Sequence, residues 1–329
     1  MLVGRADASR IAIRNSEFII QDPPPLKHAT LIYNPVAGRK PTRREKQVRE
    51  AADVLRSSGL EVTLAATTGP GMAADLARHA VQEGAELVLA CGGDGTVNEV
   101  INGLIPGTAT LGIFPGGTAN IIGKELRLPH HPVRAARALP RWKPRRIALG
   151  RATWNDAATG EPRSRLFISV AGVGFDAYVV HSLSWSLKMG WGVIGYGLEA
   201  VWQALRYSFP PFSFEMDGKR REGTFAVVHR TGHYAGWLPL APTAGLDKPD
   251  FTACLFKSTR RARYFLYAAA VLLRQHLRLG DVELASGFNV ACAPVDPGKP
   301  IYFELDGELV GQLPARFEIL PEALTVLEP

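Results

Sequence analysis

Residues 85–104 read AELVLACGGDGTVNEVINGL, and the change of period inside this stretch decides the fold. Leu87 to Cys91 is a continuous apolar run, of the kind buried on both faces of a parallel sheet. Gly92 and Gly93 interrupt it, and beyond Thr96 the residues Val97, Val100, Ile101 and Leu104 recur at helical spacing. Strand, glycine turn and helix in that order make half of a βαβ unit. The opening of the helix offers free N–H groups and a positive dipole end to an anion, and glycine lets the backbone approach a phosphate closely. Asp94 would repel that phosphate unless it holds Mg²⁺, directly or through water. The same five residues, Gly92, Gly93, Asp94, Gly95 and Thr96, also suit a plain strand-to-helix turn capped by Thr96.

Working outward, ATLIYNP, LEVTLAATT and ATLGIFPGGTANIIGKEL each repeat an apolar run followed by a glycine-containing turn and a helical pattern. Residues 28–142 therefore predict a three-layer α/β nucleotide-binding domain, with its turns on one edge of a mainly parallel sheet. Phe114 to Asn120 forms a second glycine turn between strand and helix, with Gly117, Thr118 and Asn120 as candidate contacts. Asn34-Pro35-Val36-Ala37-Gly38 adds a third loop on that edge. Thr67, after the second strand, either faces a phosphate or caps a helix.

Beyond residue 142 the pattern changes to short alternating or β-branched stretches, among them RRIALGRATW, RLFISVAGVGF, GTFAVVHRTG, FTACLF, DVELASGFNVACA and PIYFELDGELV. Residues 143–329 predict a β-sandwich-like second domain, interrupted by helical patterns at Tyr178–Arg206 and Thr259–Leu277. A cleft is expected between the domains, with the last segment packing back on the first. Residues 1–27 are charged throughout and look like an appended extension without a signal peptide.

The 38 Lys and Arg against 31 Asp and Glu give a charge of +7, which favours an anionic partner without choosing among nucleotide, nucleic acid and acidic lipid. Cys91, Cys254 and Cys292 are widely spaced and suggest neither a zinc site nor a disulfide framework, so a cytoplasmic location is expected. Tyr264 to Leu273 is the longest apolar run and spans half of the roughly 20 residues a membrane-crossing helix needs. The chain has no GxxxxGK[ST] loop, protein-kinase motif pair, GxSxG elbow or HExxH helix. His229 and His233 flank a turn and read as surface or hydrogen-bonded residues.

Asp306-Gly307-Glu308 ends an alternating strand, and in isolation Asp-Gly is a hairpin turn. Taken with YNPVAG, TTGPGMAADLA, GGDGTVNEV, PGGTAN, FISVAGVGFDA and LAPTA, it resembles the diacylglycerol kinase catalytic-domain family, which includes sphingosine and ceramide kinases. The resemblance runs from about residue 28 to the end of the chain. It implies a two-domain kinase that binds ATP and Mg²⁺ in the cleft and transfers the γ-phosphoryl group to diacylglycerol or a related lipid alcohol. By position, Asn34, Thr67, Gly93, Asp94, Gly95, Thr96 and Thr118 fall on nucleotide contacts, to which the loops add Gly38, Gly92, Gly117 and Asn120. Asp94 falls on a Mg²⁺-linked position, Asp306 on the proposed general base, and Glu308 on an acidic neighbour near the metal.

Two departures stand out. Ile121 follows Asn120 where the family usually has Asp. Leu246-Asp247-Lys248-Pro249-Asp250 replaces an Asp-Gly step near a structural metal, which puts that second metal in doubt.

A lipid acceptor implies peripheral contact with an anionic membrane surface, for which Arg43, Arg44 and Lys46, then Lys143, Arg145 and Arg146, then Arg260, Arg261 and Arg263 are candidates. Trp185, Trp191, Tyr196 and Trp202 either wall an acyl-chain pocket or pack a core. No nucleic-acid signature accompanies the basic residues, and oligomeric state stays open, a homodimer included. The alternatives are a soluble-metabolite kinase of the NAD kinase type and a non-catalytic nucleotide or lipid sensor.

Overall fold

The apolar runs of the first half become β1 (His28–Tyr33), β2 (Glu61–Ala66), β3 (Leu87–Gly92) and β4 (Thr110–Pro115), parallel and in the order β2-β1-β3-β4. This computed structural model describes residues 26–38, 41–182, 203, 205–232, 234 and 238–329. Every residue of β3 is buried, as its central place demands, whereas β2 at the edge exposes Glu61, Thr63 and Ala66. The register pairs Tyr33 with Cys91 and Gly92 with Pro115, so the loops after β1, β3 and β4 leave the sheet at one level.

Between the strands lie α1 (Pro41–Ser57), α2 (Met72–Gln82) and α3 (Asp94–Leu104), followed by α4 (Ile121–Glu125) and α5 (Pro132–Ala138). Strand order reverses at β1, and right-handed crossovers then put α1 on one face and α2 with α3 on the other. In keeping with this, α1 packs on α5 and α2 on α3.

The second half is antiparallel. β7 (Val170–Gly174), β10 (Phe225–His229), β11 (Phe251–Phe256), β12 (Val282–Gly287), β14 (Tyr302–Leu305) and β15 (Glu308–Gln312) form a six-stranded sheet in the order β12-β11-β10-β7-β14-β15. Facing it are β5 (Lys143–Asn155), β6 (Pro162–Phe167), β8 (Phe212–Met216), β9 (Lys219–Gly223), β13 (Asn289–Pro294) and β16 (Ala315–Glu328). Phe167, Phe214, Phe251, Phe303 and Phe317 fill the space between the two sheets.

The larger sheet does not stop at the domain border, because Val326 of β16 pairs in parallel with Leu111 of β4. The final segment thus joins the two halves as a strand. Its alternation is obscured in sequence by a register shift between Leu320 and Leu324, around Pro321 and the positive φ of Glu322.

Two helices complete the second half, α6 (Phe175–Ser182) and α7 (Arg261–Leu272). α7 turns Tyr264, Tyr267 and Ala270 inward onto a cluster that contains Val170, Phe209, Val227 and Phe256. The aromatic residues named at 185, 191, 196 and 202, His233, and the extension up to residue 25 lie outside the described residues. All three cysteines are buried and unpaired. No helix among the described residues is long and apolar enough to cross a membrane.

Arg263 anchors α7 by two hydrogen bonds to Asp281, at 2.7 and 2.8 Å, and Tyr267 donates a third at 2.7 Å. The Arg263 guanidinium holds the Asp281 carboxyl down at about 2. A carboxyl depressed in the folded state stabilises above its unfolded value and loses that contribution as pH falls through the folded one. Between pH of about 5 and 2 this site is therefore expected to lose about 1–2 kcal/mol, after discounting for its partial exposure. Asp281→Asn should lower the melting temperature at neutral pH and flatten the acid limb, measured by thermal melts across that window.

Candidate active site

Three loops converge at the carboxyl ends of β1, β3 and β4, and their glycines are what let them touch. A Cβ on Gly117 would lie 2.5 Å from the Gly93 Cα, and one on Gly38, which has φ +82°, would lie 2.6 Å from the Gly116 carbonyl oxygen. Gly92 faces the inward-turned Thr96, whose side chain a Cβ there would meet at 2.6 Å. The Asn34 Oδ1 accepts the Val36 N–H at 3.0 Å and shapes its own loop. Asn120 does the same for the second glycine turn, accepting from the Gly117 N–H at 2.8 Å and donating to the Gly117 carbonyl at 2.9 Å. Thr118 stays exposed beside it, and Thr67 closes the row at the end of β2, its N–H donating to the Tyr33 carbonyl at 2.9 Å.

Asp94 ties the first turn to the second, its Oδ1 accepting the Ile121 N–H at 2.7 Å. Burial raises its carboxyl, against the pull of backbone N–H groups at Ile121, Ile122 and Asn120. The change from Asp to Ile at 121 thus leaves the backbone link intact.

Arg44 is buried here, contrary to its reading as part of a basic docking cluster. Its guanidinium donates to the Gly116 carbonyl at 2.6 Å and the Ala37 carbonyl at 3.2 Å, clamping two loops together. Arg44→Ala leaves both carbonyls without that donor and is expected to weaken ATP binding roughly tenfold to a hundredfold, given about 1–3 kcal/mol for such a loss. Titration with ATP would measure it, and Arg44→Lys, whose ammonium lacks the fixed direction of the planar guanidinium, should recover only part.

Asp306 reaches the same place from the other domain. Asp306 and Gly307 have φ of 52° and 86°, and they form the two-residue turn between β14 and β15 that the Asp-Gly pair favours. The Asp306 Oδ1 accepts the Ser169 and Val170 N–H groups at 2.8 and 3.0 Å, and its Oδ2 accepts the Ile168 N–H at 3.0 Å and the Asn98 amide at 2.7 Å. These fill the four lone-pair positions of a carboxylate. Burial raises the Asp306 carboxyl, while those donors favour its charged form.

Asn98, almost fully buried on α3, links this carboxylate to a cation. Its Oδ1 accepts from Arg165 at 2.9 Å, and Arg165 in turn pairs with the Glu308 Oε2 at 2.5 Å. The Glu308 Oε1 lies toward Gly95, 2.9 Å from where a Cβ would stand. Behind the turn, the buried Glu304 accepts the Gly307 N–H at 2.5 Å, and burial with the nearby Asp176 pushes its carboxyl well above the usual range. Asn98, Arg165 and Glu304 were not singled out from the sequence.

Residues 28–152 match the family model described as the diacylglycerol kinase catalytic domain, and residues 169–328 match the YegS C-terminal NAD kinase beta sandwich-like domain. The chain belongs to the diacylglycerol kinase family. A diacylglycerol kinase of Bacillus subtilis (strain 168) is 28% identical over 309 residues, covering 92% of this chain and 97% of that protein. Among solved structures, a diacylglycerol kinase from Bacillus anthracis str. Sterne superposes with a TM-score of 0.71 at 21% identity, over 92% of this chain and 98% of that one. Yeast NADH kinase shares the fold more distantly, with a TM-score of 0.51 at 11% identity, over 92% and 83%.

As a member of the diacylglycerol kinase family the protein is a kinase. The touching glycine loops leave backbone where side chains would otherwise crowd a phosphate, which suits ATP. No group of three His, Cys, Asp or Glu among the described residues could hold a metal by itself. Mg²⁺ commonly takes one or two carboxylates and completes its shell with phosphate oxygens and water; the two carboxylates expected for it are held by the Ile121 N–H, for Asp94, and by Arg165, for Glu308. The loop from Leu246 to Asp250 faces a cation of the chain itself. The fully buried Arg230 donates to the carbonyls of Lys248 at 2.8 Å and Asp250 at 2.6 Å, putting a guanidinium against that loop.

Proposed function

We propose that this kinase uses ATP and Mg²⁺ to phosphorylate the hydroxyl of diacylglycerol or a related lipid alcohol. One observation supports it above the others: a half-buried carboxylate, Asp306, is hydrogen-bonded to the same helix whose first turn is the glycine loop. The groups required to hold a phosphate and to take a proton are thus joined, from one half of the chain to the other, by Asn98.

On this proposal the loops at 92–96 and 116–118 and the N-terminus of α3 hold the phosphates, with Asp94 and Glu308 toward Mg²⁺. Bound there, the metal supplies charge neutralisation for the transferring group. Asp306 needs a free lone pair before it can accept a proton. Three of its donors are fixed backbone N–H groups, and only the Asn98 amide belongs to a side chain. The acceptor hydroxyl takes the place of that amide at the Oδ2. Its proton passes to Asp306 as the oxygen forms the new bond to the γ-phosphorus and the bond to ADP breaks. Arg165, beside Asn98 and Glu308, adds positive charge where the phosphoryl group crosses.

The test is transfer of labelled γ-phosphate from ATP to a panel of lipid alcohols in mixed micelles, with NAD as a parallel acceptor. Labelled phospholipid is the expected product. Formation of NADP without any lipid product would assign the protein to the NAD kinase type instead, and absence of ATP turnover with every acceptor would leave a sensor.

A further inference from the structure

Between Thr259 and Gly280 the chain carries Arg260, Arg261, Arg263, Arg274 and Arg278 and no Asp or Glu. α7 lies in this stretch and is apolar on both of its faces. Tyr264, Tyr267 and Ala270 pack inward, yet Phe265, Leu266, Leu272 and Leu273 are 39, 44, 58 and 71% exposed, and Leu277 just beyond is 41% exposed. Phe265, Leu266 and Leu272 share the outward face of α7, Leu273 caps its end, and Leu277 follows past Arg274, whose φ of 57° ends the helix. An apolar stripe of this size on a water-facing helix indicates something that covers it.

The charges around the stripe indicate what. Arg260 stands exposed at its start, beside Arg261, which donates to the Tyr207 carbonyl at 3.1 Å, and Arg274 and Arg278 stand exposed beyond its end. Arg263 is not among them, because Asp281 holds it. The other basic clusters are also engaged in part: Arg44 is buried in the nucleotide loops, Arg145 pairs with Glu328 at 3.0 Å, and Arg146 donates to the Glu322 carbonyl at 2.9 Å. A second copy of the chain is a poor occupant, since two-fold pairing would bring the same arginines face to face. An anionic bilayer fits, with headgroup phosphates at the arginines and the acyl boundary at the leucines.

We infer that the outer face of α7 and the segment through Arg278 is where this kinase docks on an anionic lipid surface. The inner face of α7 shares its packing cluster with Val170, whose N–H bonds Asp306, so docking brings the sheet that carries the acceptor site alongside the bilayer. The proposed lipid-kinase activity supplies the reason for docking, whereas adsorption itself requires no transfer.

The test uses the full chain and sedimentation with vesicles of phosphatidylcholine containing about one-quarter phosphatidylglycerol. Wild type should bind these, and less so at high salt or on phosphatidylcholine alone. Leu266→Glu with Leu273→Glu should weaken binding at least tenfold, each lost leucine being worth about that factor. Arg274→Glu with Arg278→Glu should do likewise on anionic vesicles only, at about fivefold per arginine. Both pairs sit on exposed positions, so melting temperature and phosphorylation of diacylglycerol in detergent micelles should match wild type. Failure of wild type to bind, or binding unchanged in both variants, overturns the inference. So does a wild-type dimer that the leucine variant converts to monomer while vesicle binding persists. If no lipid is phosphorylated yet both variants lose vesicle binding, the docking surface stands and the lipid-kinase proposal falls.

Discussion

Asp306→Asn is expected to lower lipid phosphorylation by roughly 10²–10⁴-fold, the range that a positioned proton acceptor contributes, while ATP affinity changes only a few-fold. The substitution keeps shape but not hydrogen-bonding sense. An Asn oxygen can still accept from Ser169 and Val170, but its amide would then face the Ile168 N–H and the Asn98 amide, donor against donor. A loss of about 1–3 kcal/mol in stability should accompany the kinetic effect, so melts and ATP titration are needed beside the assay. Asn98→Ala separates the two roles. Removing a donor to the charged form raises the carboxyl further, so the acid limb of kcat/KM against pH, which reports the free enzyme, should move upward in that variant, with transfer otherwise retained. If Asp306→Asn keeps more than about a tenth of wild-type activity, the carboxylate is a clamp between domains and another group takes the proton.

What the sequence revealed of this site follows the distance over which its physics acts. The glycine turns are local: an apolar run, a break and a helical period are all visible within residues 85–104. The network joining Asn98 to Asp306 spans 208 positions, and no period records it. Outside that network, one residue left a trace. Arg44 shares a helical stripe with Val48, Ala51 and Leu55, all buried, and a single arginine on an apolar stripe indicates buried partners rather than a solvated face. Asn98 and Asn102 carry a similar trace at four-residue spacing on α3, and both amides reach the Leu166 carbonyl, at 3.0 and 3.1 Å. Arg165 had no such mark, since PRSRLF on β6 is ordinary for a half-exposed strand. In the fold, β16 escaped because Pro321 and the register shift break its alternation, although it is the strand that joins the two halves.

The nucleotide loops make a sharper demand on Gly117 than on Gly93 in the neighbouring loop, and a second large effect follows from it. A Cβ on Gly117 would meet the Gly93 Cα at 2.5 Å, whereas a Cβ on Gly93 would meet the Gly117 Cα at 3.4 Å. The first distance admits no side chain and the obstacle is backbone, so Gly117→Ala must part the two turns. Parting them moves the Asn120 bracket and strains the Asp94 link to Ile121, leaving phosphate donors out of register. A displacement of about 1 Å in such a site costs on the order of 10²-fold in rate, so phosphoryl transfer by Gly117→Ala should fall by about that factor, with ATP affinity lowered beside it. The apolar core of the domain lies on the buried strands below, and melting should drop by only a few degrees. Gly93→Ala should leave the spacing of the turns unchanged and lose distinctly less affinity for ATP. Equal losses in the two variants would mean that phosphate contact at each glycine, rather than the approach of the loops to one another, sets the geometry of the site.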